Sequence, residues 1–368
     1  MIRVFYANDP LAADQGGGAE HFRGIFRALE HSGLEWQMVA ARLGDRRHPR
    51  IDYIADGSHF GRWYLALWRW FWRHRGTIGR EDVLHFHRNY AAWPKYLLCP
   101  GRGRVVITYH NVSGRVLDGM LGRWGQPIRL VMKALERRAV GLADQLICVS
   151  ERDRQELAGS VASRPFQRAA VLAAAVDARG MVATAPSPPA GTTRLLLLGR
   201  LEHQKNPMRA VEVLERLAET DDRGWTLTIA GDGGLRTRLQ QRIADSHAAA
   251  RIVCTGLVPH DRVADLIDAH DMLLLTSRYE ASPTVVKEAL LRHRPVVSTD
   301  VGDVARWIEP GNGMICADDP GEIAHAVLAM ADLMADGGFR PPSRLGSDAE
   351  RQLMAPLIDL YRTVQAGG

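Results

Sequence analysis

Short apolar runs alternate with longer amphipathic stretches along most of the chain. In the first half, Arg3–Ala7, Trp36–Ala40, Val83–Phe86, Val105–Tyr109 and Gln145–Val149 read as strands. Ala19–His31 and Pro127–Leu142 carry helical spacing between them. Strands alternating with helices predict a parallel sheet covered on both faces. The pattern breaks at Asp177–Thr193, where Ala185-Pro186-Ser187-Pro188-Pro189-Ala190-Gly191 reads as a linker. It then restarts. Strands are predicted at Arg194–Leu198, Trp225–Ala230, Arg251–Cys254, Met272–Leu275 and Pro295–Ser298, with helices at Pro207–Ala218, Leu235–Ala244, His260–Ala269 and Pro283–Leu291. A last helical stretch, about Ala349–Val364, follows the loop Gly337–Gly346 and need not belong to the second sheet. The expectation is two α/β, doubly wound domains with a cleft between them, a favoured place for ligands.

Composition adjusts this picture only a little. The 368 residues are 46% hydrophobic and 24% charged, ordinary for a globular protein of two domains. No run of eighteen apolar residues predicts a membrane span, and the N-terminus enters a strand pattern without a signal-peptide pattern. Cys99, Cys148, Cys254 and Cys316 are scattered with no Cys-x-x-Cys pair, which argues against a zinc site or a disulfide framework. Cys148 and Cys254 sit in apolar runs and read as buried thiols, so a cytoplasmic compartment is expected. The net charge of +5 suits a phosphate-bearing substrate or an anionic membrane surface, and is too small and dispersed for nucleic acid.

The densest chemistry lies in Ser277-Arg278-Tyr279-Glu280-Ala281-Ser282-Pro283-Thr284-Val285-Val286-Lys287-Glu288. Glu280 falls in a loop after a buried strand and Glu288 within the next helix. Ser282 is the predicted N-cap and Pro283 the first helical residue. Two carboxylates and several free backbone N–H groups, around Ser282 to Val285, then surround one point at a strand's C-terminal end, where ligands bind in open α/β sheets. The N–H groups suit an anion and the carboxylates suit sugar hydroxyls, so a sugar nucleotide is implied. Arg200 and Lys205, after the strand Arg194–Leu198, suit a diphosphate. Thr255–His260, which includes Val258, is equally a tight βα connection or a loop that offers backbone groups to a nucleobase.

Weaker signals come from glycine turns and histidines. Gly16-Gly17-Gly18 precedes a helix and either approaches a ligand or is only a flexible connection; it is not a Gly-x-Gly-x-x-Gly fingerprint. Ala230-Gly231-Asp232-Gly233-Gly234 is equally a turn or a site. His110 ends a strand and can donate to a substrate hydroxyl, whereas His85 and His87 lack nearby carboxylates and do not read as a metal site. No Asp-x-Asp occurs, so a bound diphosphate would be neutralised by Arg200, Lys205 and helix N-termini, with no metal and no cofactor. Phe60–Arg75 holds four of the nine tryptophans, with Arg62, Arg69 and Arg73 on one helical stripe. That stretch packs partly into the core and also suits a membrane interface, which the basic stretch Arg115–Arg138 would widen.

Taken in order, these motifs resemble the retaining GT-B glycosyltransferases of glycosyltransferase family 4. The resemblance rests on Gly-Gly-Gly-Ala-Glu ending at Glu20, Thr108-Tyr109-His110-Asn111, Ala143–Ser150, Gly199-Arg200-Leu201 through Lys205-Asn206, Ala230-Gly231-Asp232-Gly233, Glu280 with Glu288, and Pro295–Gly302. It implies two Rossmann-like domains, an acceptor-binding one at 1–176 and a nucleotide-sugar-binding one at 194–345. A linker at 177–193 joins them, and a helix at 346–368 returns to the first domain. It implies that Arg200 and Lys205 bind the donor diphosphate, Glu288 the ribose and Glu280 the donor sugar. The backbone of Ser282, Pro283, Thr284 and Val285 would lie near phosphates and sugar, His110 near the transferred sugar, and Gly17 and Gly18 in the loop closing on donor and acceptor. Ala281 stands where the family often has glycine, and Ala174-Ala175-Val176-Asp177 replaces its usual Asn-Gly-Val-Asp.

The expected reaction is metal-independent hexosyl transfer with retention. GDP-mannose is the first donor and UDP-hexoses the next. The expected acceptor is a lipid-linked saccharide or glycolipid for surface polysaccharide, met at the inner face of the cytoplasmic membrane. A sugar-nucleotide epimerase, an inactive sugar-nucleotide-binding module and, less favoured, a nicotinamide-dependent oxidoreductase are the other readings.

Overall fold

The computed structural model describes residues 1–12, 17–57, 59–110, 126–177 and 191–367. Gly16, Asn111, most of the Pro-rich linker and the start of the basic stretch after Arg115 lie outside the described residues. The chain forms two units, each built on its own parallel sheet.

The first unit comprises the described residues of Met1–Ala12, Gly18–Ala175 and Arg351–Gly368. In chain order its elements are β1 (Ile2–Tyr6), α1 (Gly17–Glu30), β2 (Trp36–Arg42), β3 (Ile51–Asp56), α2 (Phe60–His74), β4 (Val83–Phe86), α3 (Trp93–Leu98), β5 (Arg104–Tyr109), α4 (Gln126–Gly141), β6 (Gln145–Cys148), α5 (Glu151–Ser160), α6 (Ser163–Gln167) and β7 (Ala170–Val171). The sheet order is β3-β2-β1-β4-β5-β6-β7, all parallel. Its direction of winding reverses between β1 and β4, so that pair is the topological switch point. β4 is buried along its whole length, as expected of a strand covered on both faces.

The aromatic stretch forms α2 and packs as half core, half surface. Trp63, Leu67, Trp70 and Phe71 recur at helical spacing and are buried, while Arg62, Leu65, Arg69, Trp72 and Arg73 are exposed. Trp70 donates its indole N–H to Asp52 at 2.6 Å, and Phe5 lies between Trp70, Phe71 and Phe86 at 4.7–5.2 Å.

The second unit is centred on β8 (Thr192–Leu198), α7 (Pro207–Thr220), β9 (Gly224–Ala230), α8 (Arg236–Ala244), β10 (Ile252–Gly256), α9 (His260–Asp268), β11 (Met272–Leu275), α10 (Thr284–Leu291), β12 (Val296–Thr299), β13 (Gly313–Cys316) and α11 (Pro320–Ala335). The order is β10-β9-β8-β11-β12-β13, again all parallel, with the switch point at β8/β11. Leu195, Leu197, Val211, Leu214, Trp225, Leu227, Leu274 and Val327 lie in one apolar core. Cys254 corrects the expectation of a buried thiol. It is exposed, because β10 is an edge strand with no sheet neighbour beyond it.

The last helix, α12 (Ala349–Ala366), clusters from Arg351 onward with the first unit. Its Tyr361 is fully buried and its hydroxyl lies 2.6 Å from His85 Nδ1.

Candidate functional site

The second unit gathers its polar residues at the β8/β11 switch point. The turn after β8 runs from Gly199 to Asn206 and opens α7. Gly199 and Gly231 end adjacent strands and touch so closely that a Cβ on Gly231 would lie 1.8 Å from the Gly199 carbonyl oxygen. A Cβ on Gly199 itself would meet the Lys205 side chain at 3.0 Å. Gly231 therefore excludes a side chain, and one at Gly199 would have to displace the end of Lys205. Asn206 takes a left-handed conformation, φ 49°, and Pro207 opens α7.

Lys205 reaches from this turn to the one after β11. Its Nζ lies 2.7 Å from Glu280 Oε1, and both side chains are largely enclosed. Ser277 donates its hydroxyl to the same oxygen at 2.7 Å, and Gln204 donates its amide to Oε2 at 3.2 Å. Backbone bonds tie the two turns as well, from Arg278 N–H to the Gln204 carbonyl at 2.8 Å, with the Thr276 hydroxyl donating to the Asn206 carbonyl. Arg200 differs. It is exposed, and its guanidinium has no ion-pair partner among the described residues.

α10 starts one residue later than expected. Pro283 is its N-cap and Thr284 its first residue. Ser282 does not cap it, because its hydroxyl donates to Asp303 at 2.7 Å and accepts from Lys287 Nζ at 2.8 Å. Lys287 is completely buried and lies 3.8 Å from Asp303, with Trp307 beneath it at 5.2 Å. Burial lowers the Lys287 pKa, and the Asp303 and Glu288 charges oppose that shift. Trp307 also donates to Asp303 at 2.9 Å. Gly302, φ 55°, backs the same loop; a Cβ there would lie 2.4 Å from the Ala281 carbonyl oxygen. Thr284, Val285 and Glu288 are buried around this start, and Val258 is half-buried in the loop after β10.

The first unit brings a different set together. Gly17 and Gly18 open α1. His110, at the end of β5, places Nε2 2.8 Å from His87 Nδ1 at the end of β4. His21, one residue after Glu20 on α1, accepts the Ala175 N–H on Nδ1 at 3.0 Å, which leaves its ring proton on Nε2. His85 bridges Thr108 at 2.7 Å and Tyr361. Burial lowers His110 and His87 well below the ordinary range and His85 to about 3, and neighbouring imidazoles push the same way. All three are neutral at neutral pH. His87 Nε2 is buried without a hydrogen-bond partner among the described residues.

His21, His87 and His110 each offer a nitrogen within 4.8 Å of the others, which is the arrangement that could hold a metal ion. The 2.8 Å His87–His110 contact is a hydrogen bond, and a metal would have to displace it. His87 was not marked as a site residue by sequence, and neither were Gln204, Ser277, Lys287 and Asp303. All but Ser277, which meets Glu280 three positions on, act through partners distant in the chain, and only the alternation that predicts parallel strands hinted at their convergence.

Comparison with known proteins agrees with this architecture. Residues 15–178 match Glycosyltransferase Family 4, and residues 192–332 match Glycosyl transferases group 1. Among curated relatives, a glycogen synthase of Mycobacterium tuberculosis is 28% identical over 283 residues, 75% of this chain and 67% of the relative. The alpha-D-kanosaminyltransferase of Streptomyces kanamyceticus is 27% identical over 288 residues, 72% of this chain and 73% of the relative. In fold, a sucrose-phosphate synthase of Thermosynechococcus elongatus superposes with a TM-score of 0.79 at 18% identity, covering 100% of this chain and 99% of that one. WaaG, a glycosyltransferase involved in lipopolysaccharide biosynthesis, superposes with a TM-score of 0.70 at 15% identity, covering 100% and 98%. With a Family 4 domain around the first sheet and a group 1 domain around the second, the chain belongs to the GT-B glycosyltransferases.

Proposed function

We propose that this glycosyltransferase moves a hexose from a nucleoside diphosphate sugar to a hydroxyl acceptor with retention of configuration, and that no divalent ion is needed to hold the diphosphate. The observation that carries this reading is the 2.7 Å contact of Lys205 with Glu280 at the β8/β11 switch point, on the same turn as Arg200, which has no ion-pair partner among the described residues. Departure of the diphosphate leaves negative charge on its oxygens and positive charge on the sugar. Arg200, Lys205 and the N–H groups at the start of α10 stabilise the former before it forms, and such preorganised donors supply much of catalysis. Glu280 Oε1 already takes two donors and Oε2 one, so it suits accepting a sugar hydroxyl better than attacking the anomeric carbon. Glu288 is assigned to the ribose hydroxyls, the Val258 loop to the base, and Gly17, Gly18 and the neutral His110 to the sugar and acceptor. His110 can donate a hydrogen bond without carrying charge.

GDP-mannose is the first donor to test and UDP-hexoses the second. The experiment is a nucleotide-sugar panel followed by donor hydrolysis, thermal shift and anomeric analysis of the product. Conversion of the donor into a new sugar nucleotide without an acceptor would favour the epimerase reading. Binding without any turnover would favour an inactive module.

A lipid-linked saccharide is the proposed acceptor. On α4, Leu130, Val131, Met132 and Leu135 are exposed beside Lys133, a combination that suits an anionic bilayer surface. On α2 the equivalent role falls to Leu65 and Trp72, since Trp63 and Trp70 are buried. No helix among the described residues is long and apolar enough to cross a membrane. Replacing Leu130 and Leu135 by Ser should weaken flotation with phosphatidylglycerol vesicles several-fold; unchanged flotation of the folded variant would remove α4 from the contact.

A further inference from the structure

The switch point of the first sheet holds a hollow of about 260 Å³ that the reading above leaves unassigned. It opens where β1 and β4 end, the place at which open α/β sheets bind ligands. Its walls include Tyr6, Asn8, Phe60, Trp63, Arg88 and Tyr90, all within the first unit. The volume lies just under the range of about 300–1,000 Å³ usual for small-molecule sites, which suits seating one sugar ring.

Three features define what fits. Phe60 and Tyr90 meet edge to face at 5.0 Å, and Phe60 remains 43% exposed at the rim. An open aromatic wall of this kind packs against the C–H face of a pyranose. Arg88 follows His87 directly; it is exposed, and its guanidinium makes no hydrogen bond or ion pair with the described residues. Among the described residues, no carboxylate lines the hollow to neutralise it. An arginine held at a pocket wall without a partner is matched by a carboxylate or a phosphate. Asn8 adds a second side chain without a hydrogen bond to the described residues.

The hollow also adjoins the histidines. The Tyr6 ring that lines it lies 5.2 Å from the His87 ring and 6.2 Å from the His110 ring. A sugar seated there is one ring away from His110.

We infer that this hollow is the acceptor subsite and that it selects a saccharide bearing an acidic group, carboxylate or phosphate, on the ring it seats. Phe60 and Tyr90 take the apolar face of that ring, Asn8 a hydroxyl and Arg88 the acid. The inference rests on the transferase reading for the word acceptor. The binding preference itself does not depend on it.

The test is a ligand-observed NMR titration of the full chain without donor, using methyl glucuronide, glucose 1-phosphate and methyl glucoside. The anionic probes should bind at least about tenfold more tightly than methyl glucoside. Arg88→Gln should abolish that preference and Arg88→Lys should keep part of it. A larger preference for the glucuronide assigns a carboxylate, and a larger one for glucose 1-phosphate assigns a phosphate. Equal binding of all three probes, binding of none, or a preference that survives Arg88→Gln in a folded variant would overturn the inference. Donor turnover by the unmodified chain is measured separately. Its absence would count against the transferase reading and leave the saccharide preference readable.

Discussion

The two sheets of this chain end in two very different switch points. At β8/β11, nearly every polar group is already engaged: Lys205, Gln204 and Ser277 converge on Glu280, while Lys287, Ser282 and Trp307 converge on or beside Asp303. At Gly231 and Gly302 the neighbouring backbone comes too close to admit a side chain. At β1/β4 there is instead a hollow with aromatic walls and an arginine with no partner among the described residues. The first arrangement fixes donors before a ligand arrives, which suits stabilising a charge that develops during reaction. In the second, Asn8, Arg88 and Tyr90 lie outside the strands and Phe60 opens a helix, so these walls can change without disturbing the sheet, while Tyr6 on β1 and the buried Trp63 form its floor. On the reading proposed above, a common donor chemistry can thereby be joined to variable acceptors.

The comparison can be broken most decisively at Lys287. Its removal leaves Asp303 buried beside only neutral donors, and breaking such a pair costs about 3–5 kcal/mol. Lys287→Met should therefore lower the unfolding free energy by about that amount in denaturant titration. An unchanged midpoint would mean that the second switch point is not held by this pair. Next comes Lys205→Ala. Glu280 keeps Gln204 and Ser277, so the fold should survive, while kcat falls by about 10²–10³, the usual cost of losing one preorganised donor. Normal turnover would remove Lys205 from the diphosphate.

A smaller, graded effect belongs to the first unit. His85, His87 and His110 have lowered pKa values in the folded state, so below about pH 6.5 the unfolded chain binds more protons. Stability should fall with pH from there toward the folded values, by up to about 1.4 kcal/mol per pH unit for each histidine. Thermal scans between pH 7 and 5 should show this, and His85→Gln should remove about one histidine's share of the slope. A flat profile would mean that the cluster is not buried in its neutral form. EDTA, finally, is expected to leave transfer unchanged. Loss of activity restored by a divalent ion would overturn the metal-free reading of the diphosphate site.

Much of the frame was legible in sequence. Buried runs such as Val83–Phe86 and Met272–Leu275 have the same bounds in the structure. β3 was not legible, because Ile51-Asp52-Tyr53-Ile54-Ala55-Asp56 mixes polar and apolar positions on an edge strand. β7 has two residues, too few for any period. α11 did carry a signal that went unused: Asp319 caps it through Gly321 and Glu322, with Pro320 at its first position. In the site, residue types were readable where they follow a strand, as with Arg200 and Lys205. Partnerships were not, since Gln204 and Glu280 are 76 positions apart. Ser282 was misread because a serine directly before a proline matches a cap, and only the fold reveals Asp303 competing for its hydroxyl.

The bond between His85 and Tyr361 spans 276 positions. During synthesis at about 5–20 residues per second, His85 is made roughly 14–55 seconds before the tyrosine that covers it. Over that interval the whole second sheet is translated, so the sheet begun first is the one sealed last. Until then its buried imidazole stays within reach of water and of whatever attends the nascent chain.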